Sequence, residues 1–218
     1  PKTFVTLLWG MTEGGLTTSL RNTPAEKTIT TAGVGLPGLE MLIINPEEEQ
    51  LANDEVGELV MRGPGVFIGY YGQEDLYNSL LTKNGFFRTG DLATLDEAGY
   101  LRITGRLKDL IIRGGVNISP VPIEDALSSH PNVSGAAVVG YPEERMGELL
   151  CAVIIPEGEI PTLKNLNTFL REKGLPKYHC PELLRIVEKF PSTPAGKIRK
   201  AVLREQIINS TVTKNGDG

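Results

Sequence analysis

The sequence is poor in the residues that build disulfide frameworks, metal sites and hydrolase triads. Among its 218 residues are two cysteines, Cys151 and Cys180, and two histidines, His130 and His179. Two cysteines are too few for a disulfide framework, and these two lack the spacing of metal ligands. Neither histidine has a serine or cysteine motif nearby, which disfavours triad hydrolysis. We therefore expect a protein of the reducing cytoplasm, with Cys151 as a small core residue.

Excess positive charge and long apolar runs are also missing. The 27 acidic residues outnumber the 22 basic ones, so the formal net charge is −5. A protein that binds nucleic acid or a membrane surface needs a basic face, and we expect neither partner. No apolar run approaches the roughly 20 residues of a transmembrane helix. A hydrophobic content of 40% instead indicates a globular protein.

The order of predicted strands and helices divides the sequence into two regions. Short strands with glycine-rich turns fill the first region, which predicts a small, distorted, barrel-like β subdomain. Strands alternate with helices after Gly105, which predicts an α+β domain with a short central sheet flanked by helices. We expect an α+β protein with domains at residues 1–106 and 107–209, and a flexible polar tail at 210–218.

Local patterns and turn residues place the individual elements. Strands are predicted at 39–45, 57–62, 91–95, 100–104, 110–112, 135–139, 149–155 and 183–187. Helices are predicted at 74–82, 163–173 and 197–208, and a further helix starts at Ser119 as the cap with Pro120 in first position.

Residues 33–38 (GVGLPG) match the dinucleotide-binding pattern of spaced glycines. The surroundings do not fit, because residues 28–32 are not a buried parallel strand and a strand, not a helix, is predicted to follow. We interpret these residues as a glycine-rich turn.

Thr12 and Glu13 follow a glycine-containing turn. A hydroxyl and a carboxylate are hard oxygen ligands that suit phosphate and Mg²⁺. The alternative is a helix start, with Thr12 as the cap and Glu13 favoured by the helix dipole.

Asp91 and Arg106 form the second candidate pair. The carboxylate of Asp91 can accept hydrogen bonds from both hydroxyls of a ribose, but an acidic turn residue explains it equally well. Arg106 offers a planar fork for ribose or phosphate oxygens. Its alternative is a surface ion pair with Asp109 or Glu97.

Two lysines complete the set of candidates. Lys197 follows the turn at residues 194–196 (PAG), where a compact cation can neutralise charge between a carboxylate and a phosphate. A basic solvated face with Arg199 and Lys200 is the alternative. Lys108 lies at the predicted domain boundary, where it is either a hinge residue or a solvated charge.

In order and spacing, six motifs together resemble the adenylate-forming superfamily, which contains acyl- and aryl-CoA synthetases, peptide-synthetase adenylation domains and beetle luciferase. The motifs are 9–13 (WGMTE), 57–63 (GELVMRG), 87–92 (FRTGDL), 105–109 (GRLKD), 112–115 (IRGG) and 194–198 (PAGKI). The resemblance covers residues 9–207, and residues 109–124 are most similar to bacterial acyl-CoA synthetases for medium-chain or alicyclic acids.

The resemblance implies a role for each residue of the first motif. Trp9 packs beside the adenine of ATP, where a tyrosine is commoner in the family, and Gly10 and Met11 belong to the same nucleotide-binding segment. Thr12 and Glu13 contact phosphate, with Glu13 also holding Mg²⁺.

The remaining roles are implied in the same way. Asp91 holds the ribose hydroxyls, Arg106 supports the ribose, and Lys108 is the hinge about which a mobile C-terminal domain pivots. Lys197 bridges the reacting carboxylate and the phosphate oxygens during adenylation. The glycine pair 114–115, that is Gly114 and Gly115, lines the tunnel for the pantetheine arm of CoA.

The resemblance thus implies a C-terminal fragment of an ATP-dependent acyl-CoA synthetase, which turns a carboxylic acid into an acyl adenylate and transfers it to CoA. The family's phosphate loop and most of its acyl pocket lie upstream of Trp9, so we expect these 218 residues alone to be inactive. One alternative is an adenylation domain that loads a carrier protein. Another is a non-catalytic binding module, which would have no need of Lys197.

Overall fold

A computed structural model of the protein describes residues 5–212, and their side chains as far as residue 210. The chain forms two compact units, Pro1–Leu107 and Lys108–Gly218. A short 3-10 turn, Leu107–Asp109, lies where the first unit ends in the sequence. The predicted α+β class is confirmed, since sheets and helices occur in both units. No helix among the described residues has the length and apolar character needed to cross a membrane.

The first unit contains two antiparallel sheets and two short helices. Its strands are β1 (Leu8–Met11), β2 (Gly14–Thr18), β3 (Val34–Gly35), β4 (Glu40–Ile44), β5 (Gly57–Arg62), β6 (Phe87–Leu95) and β7 (Leu101–Arg106), and its helices are α1 (Ala25–Thr30) and α2 (Glu74–Ser79). The strand orders are β1-β2-β3 and β4-β5-β6-β7. Both sheets are open, and the strands described here close no barrel.

The four-stranded sheet is buried on both faces. Successive residues of a strand point to opposite faces, and Ile43 and Ile44 of β4 accordingly lie in different apolar clusters. On β5, Leu59 joins the first cluster and Val60 the second, and all four side chains are at most 4% exposed. The sheet is thus packed on both faces, and β6 lies within it between β5 and β7.

The second unit is a five-stranded sheet with helices on both faces. Its strands are β8 (Ile111–Arg113), β9 (Val116–Ile118), β10 (Val133–Glu143), β11 (Gly147–Pro156) and β12 (Leu183–Ile186), and its helices are α3 (Val121–Ser128), α4 (Leu163–Glu172) and α5 (Lys200–Val212). Strand β11 pairs with β10 along one edge, and with β8 and β12 along the other. A second 3-10 turn, Lys177–His179, precedes β12.

The apolar run at residues 150–154 is fully buried because helices cover both faces of β11. Leu150, Ala152 and Ile154 face the cluster that includes α3 and α4, whereas Cys151 and Val153 pack with residues of α5. The prediction that Cys151 is a core residue is confirmed, and burial raises the pKa of its thiol to about 11.

Several predicted boundaries are wrong. The third helix begins at Val121 with Pro120, not Ser119, in the cap position, and the last helix begins at Lys200, three residues later than predicted. That helix extends into the predicted tail at 210–218, of which residues 213–218 lie outside the described part of the chain. Strands β1, β2, β3 and β9 and helix α1 were not predicted, because short elements carry too few residues to show a period.

Candidate active site

Asp91 lies on a bulge of β6 that changes the direction of its side chain. Three residues of β6, 89–91, lie opposite the single residue Leu59 of β5. Gly90 has a φ of +70°, a conformation that favours glycine. The hydroxyl of Thr89 donates to the carbonyl of Leu59 at 2.7 Å and accepts the amide of Asp91 at 3.0 Å. Bulges of this kind re-aim side chains beside functional sites.

The Asp91 carboxylate is buried between one hydrogen-bond donor, Trp9, and one ion-pair partner, Arg106. The indole Nε1 of Trp9 donates to Oδ2 at 3.1 Å, and Nε of Arg106 lies 2.9 Å from Oδ1. Asp91 is 4% exposed, whereas the side chain of Arg106 is 50% exposed. The turn-residue interpretation of Asp91 is wrong, as are Asp109 and Glu97 as partners of Arg106.

The contact with Arg106 is an ion pair without hydrogen-bond geometry. Within the described part of the chain, Oδ1 of Asp91 accepts no hydrogen bond although it is enclosed. A buried carboxylate oxygen with unused acceptor capacity is unusual and suits a hydroxyl donor from a ligand.

Thr12 and Glu13 form the turn of the hairpin between β1 and β2. No helix starts here, so the helix-cap alternative is wrong. Glu13 is held in place, because its Oε1 accepts the Tyr70 hydroxyl at 2.8 Å and its carbonyl accepts the amide of Phe67 at 2.8 Å. Burial, and then the bond to Glu13, raises the pKa of Tyr70. Thr12 is exposed.

The absence of side chains at two glycines of this hairpin allows the Trp9 ring to pack closely against it. A Cβ on Gly15 would lie 3.2 Å from Cζ3 of Trp9 and 2.5 Å from Sδ of Met61. A Cβ on Gly10 would lie 2.9 Å from the carbonyl oxygen of Gly15. Met11 closes the strand and is half-buried. The hairpin therefore packs tightly around the indole and aims its N–H at Asp91.

The acidic residues here fit a magnesium ion that is brought by a nucleotide. Across residues 5–212, no group of three or more His, Cys, Asp or Glu side chains is placed to hold a metal ion. Magnesium is commonly held by one or two carboxylates together with substrate phosphates. Glu13, fixed by Tyr70, supplies one such carboxylate.

Lys197 projects from a tight turn before α5. The Thr193 hydroxyl accepts the amide of Lys197 at 3.1 Å, and the Lys197 carbonyl accepts the amide of Thr193 at 2.8 Å. Gly196 has a φ of +80°, which suits glycine in such a turn. Lys197 is exposed, and its ammonium forms no ion pair with any side chain described here. Lys108, the other candidate lysine, is exposed as the first residue of the second unit.

Gly114 and Gly115 form the two-residue turn between β8 and β9. Their φ angles are +57° and +82°, as the common hairpin turn of this length requires. A Cβ on Gly114 would lie 2.7 Å from Cε of Met146, whereas one on Gly115 would meet open space. Both glycines are exposed.

Each unit therefore contributes a different part of the predicted set. The first unit brings Trp9, Asp91 and Arg106 into one contact network. The second presents Lys197 and the glycine pair 114–115 on separate exposed turns.

Two family models match the chain. The model described as "AMP-binding enzyme" matches residues 1–71, and "AMP-binding enzyme C-terminal domain" matches residues 122–197. The chain belongs to the adenylate-forming superfamily.

Similar proteins of this superfamily include ligases of different acids. A long-chain-fatty-acid–CoA ligase of Thermus thermophilus is 43% identical over 81% of this chain and 33% of its own length. A 2,3-dihydroxybenzoate–AMP ligase of Bacillus subtilis is 38% identical over 92% of this chain and 37% of its own length. The crystal structure of ATP-bound MatB from Rhodopseudomonas palustris matches with a TM-score of 0.87 and 33% identity, over 94% of this chain and 41% of that one. The chain thus spans about a third of the length of the curated relatives it matches.

Sequence reasoning missed two features of this candidate site. The first is Tyr70, whose hydroxyl fixes Glu13 from 57 residues away. The second is the direct bond from Trp9 to Asp91, which spans 82 residues. The threonine and glycine before Asp91 were the available signal for the bulge, since a glycine inside a strand pattern marks one.

Proposed function

We propose that the protein containing this chain is an ATP-dependent acid–CoA ligase, which activates a carboxylic acid as acyl-AMP and then transfers the acyl group to CoA. The observation that carries this proposal is the buried Asp91 carboxylate, with Trp9 and Arg106 bound to it and one oxygen left without a hydrogen bond. Because this carboxylate occurs in a chain of the adenylate-forming superfamily, we infer that it binds the ribose of ATP.

The first unit would bind the nucleotide. Asp91 would accept the ribose hydroxyls once the Arg106 guanidinium turns towards ribose or phosphate oxygens. Trp9 would lie beside the adenine while its indole N–H keeps the Asp91 carboxylate oriented. The exposed Thr12 hydroxyl and Glu13 would face the phosphates. Magnesium held at Glu13 would neutralise phosphate charge.

In the first half-reaction, an oxygen of the substrate carboxylate forms a bond to the α-phosphorus, and the bond to pyrophosphate breaks. Charge builds up between two anionic groups, so a fixed cation lowers the barrier. The exposed ammonium of Lys197 would supply that cation.

In the second half-reaction, the thiol of CoA loses its proton and attacks the acyl carbonyl, and AMP leaves. The bare hairpin turn of Gly114 and Gly115 would leave a passage for the pantetheine arm. Lys197 and this turn would act in succession, with Lys108 as the hinge of the change between them.

The acid and the acceptor are the finer parts of the proposal. We propose a medium-chain or alicyclic acid, and a relative named as a long-chain-fatty-acid–CoA ligase supports a nonpolar acid. A carrier protein in place of CoA is the alternative acceptor. A cytoplasmic location and the absence of a nucleic-acid partner stay predictions.

The test uses the complete protein that contains these residues. Exchange of labelled pyrophosphate into ATP, measured over acids of increasing chain length and ring content, should appear with the preferred acids. Thioester formation should then require CoA. Exchange without any thioester on CoA, but with loading of a carrier protein, would move the assignment to the alternative. Absence of exchange with every acid would refute adenylation.

The 218 residues by themselves offer a second test. We propose that they bind nucleotide weakly and make no adenylate, because the candidate site described above contains no phosphate loop. Clear pyrophosphate exchange by the isolated chain would contradict this.

A further inference from the structure

We propose that two carboxylates of the second unit position its two reactive turns separately: Glu124 holds the Lys197 turn, and Glu148 holds the hairpin turn of Gly114 and Gly115. This inference rests on the proposed function, because it assigns each turn to one half-reaction. Both glutamates are positioning residues, since they act through other residues.

Glu124 lies on α3 and binds two partners in a nearly closed environment. Its Oε1 accepts the amide of Val138 on β10 at 2.6 Å, and the ammonium of Lys200 lies 2.8 Å from the carboxylate. The side chains of Glu124 and Lys200 are 16% and 18% exposed. Pairs shielded in this way are screened less by salt than surface pairs and orient their partners more firmly.

The anchored Lys200 is the first residue of α5 and follows Lys197 by three positions. The short segment between them is also fixed, because the amide of Arg199 donates to the carbonyl of Pro191 at 2.7 Å. Ile198 pairs with Ser192 in an antiparallel bridge. Glu124 therefore sets the position of the helix start from which the Lys197 turn projects.

Glu148 lies near the start of β11 and holds the neighbouring hairpin. Its Oε2 accepts the amide of Ile112 on β8 at 2.8 Å, and its Oε1 pairs with the Arg204 guanidinium of α5 at 2.5 Å. Gly140 makes room for this carboxylate, because a Cβ there would lie 2.5 Å from Oε1. The carbonyl of Gly140 also accepts Nε of Arg204 at 2.9 Å.

The amide of Ile112 is two residues from the glycine turn, so the Glu148 contact fixes the base of that hairpin. A second bond supports the same base, since the amide of Gly114 donates to the carbonyl of Met146 at 2.7 Å. Glu148 adds a side-chain acceptor to a base that is also held by the backbone pairing of Arg113 with Gly147 and with Val116.

The two anchors have different contacts. Glu124 contacts Lys200 and Val138, whereas Glu148 contacts Arg204 and Ile112, and the two carboxylates share no partner. Both cations lie on α5, but only Glu148 also reaches β8 beside the glycine turn, so each variant serves as the control for the other.

The experiment uses Glu124→Gln and Glu148→Gln in the complete protein. Pyrophosphate exchange reports the first half-reaction, and thioester formation from supplied acyl-AMP and CoA reports the second. Glu124→Gln should lower the adenylation kcat by roughly tenfold or more and leave thioester formation within about twofold, because a small misplacement of a catalytic group is costly. Glu148→Gln should show the opposite pattern. The KM for ATP should stay unchanged in both.

Variants at the partner residue separate positioning from general stability. Lys200→Gln should show the same selective loss of adenylation as Glu124→Gln, and it provides the test if Glu124→Gln fails to fold. Lys200→Arg keeps the charge and should retain most of the adenylation rate. Equal losses in both half-reactions, in step with a lower Tm, would overturn the inference. Absence of exchange in the wild-type protein would instead refute the proposed function itself, and the two failures are thus distinguishable.

Discussion

The two units treat their candidate functional charges in opposite ways. In the first unit the Asp91 carboxylate is buried and already bound to Trp9 and Arg106. In the second unit the Lys197 side chain is exposed, and hydrogen bonds hold only the backbone of its turn. A buried charge must be paired to be tolerated, whereas a charge in water costs nothing to leave alone. The proposed nucleotide-binding residues would therefore double as core structure, while the exposed lysine would be free for a single chemical step.

The largest expected effect concerns Lys197, the exposed charge of the second unit. Lys197→Ala in the complete protein should lower the adenylation rate by about 10²–10³, as loss of a fixed charge-stabilising group does. Its Tm should not change, because the side chain is exposed and has no ion-pair partner among the described residues. Thioester formation from supplied acyl-AMP should fall much less. Equal losses in the two half-reactions would contradict the role of Lys197.

The next largest effect concerns Asp91, the buried charge of the first unit. Asp91→Asn should lower the free energy of unfolding by about 2 kcal/mol, because it removes the charge that binds Trp9 and Arg106. It should also weaken nucleotide binding, since a charge-assisted acceptor is lost. Urea unfolding and nucleotide titration measure the two effects.

A matched exposed pair serves as the control for Asp91. Glu40 and Arg62 form an ion pair with side chains 57% and 46% exposed. Glu40→Gln should change the free energy of unfolding by about 0.5 kcal/mol or less, as is usual for surface pairs. Equal effects of Glu40→Gln and Asp91→Asn would remove the distinction between buried and exposed charge in this unit.

Trp9→Phe should give a smaller effect that isolates one bond of the network. The ring remains, and the N–H that donates to Asp91 at 3.1 Å is lost. A net cost of about 1 kcal/mol in the free energy of unfolding is expected for such a bond. Nucleotide binding should weaken as well, because Asp91 loses a donor that orients it. Urea unfolding and nucleotide titration of both proteins measure the two effects. A variant with unchanged affinity and unchanged stability would show that the indole N–H contributes nothing.

The smallest effects should appear in the pH dependence of stability and differ in sign between the units. Burial raises the pKa of Tyr70 in the first unit, so its contribution is present below the unfolded value near pH 10 and is lost as the pH rises through the folded pKa. Burial lowers the pKa of His179 in the second unit. Its contribution is present above about pH 6.5 and is lost as the pH falls through the folded pKa. Tyr70→Phe should flatten the alkaline limb of the unfolding midpoint, and His179→Gln the acid limb.

Local sequence was sufficient for several parts of the molecule. The run at 150–154 has the length and apolarity of a doubly covered strand, and it is one. The turn predicted at residues 194–196 before Lys197 is also present, and Gly196 has a φ of +80° there. Each of these follows from neighbouring residues, because backbone angles and side-chain period are local properties.

The partners of the candidate residues depended on tertiary structure. Asp91 meets Trp9 across 82 residues of sequence, and Lys200 meets Glu124 across 76. The sequence offers Asp109 or Glu97 as alternative partners of Arg106, but the register of β6 with β7 places it opposite Asp91. A one-residue shift would send either side chain to the other face of the sheet.

The sequence alone therefore determined the family resemblance, the α+β class and the turn that carries Lys197. Tertiary structure decided which carboxylates are buried, which cations they hold and which one stays free. The reason is physical: turn chemistry is set within a few residues, whereas burial and pairing depend on strand register and on helices that arrive from far along the chain.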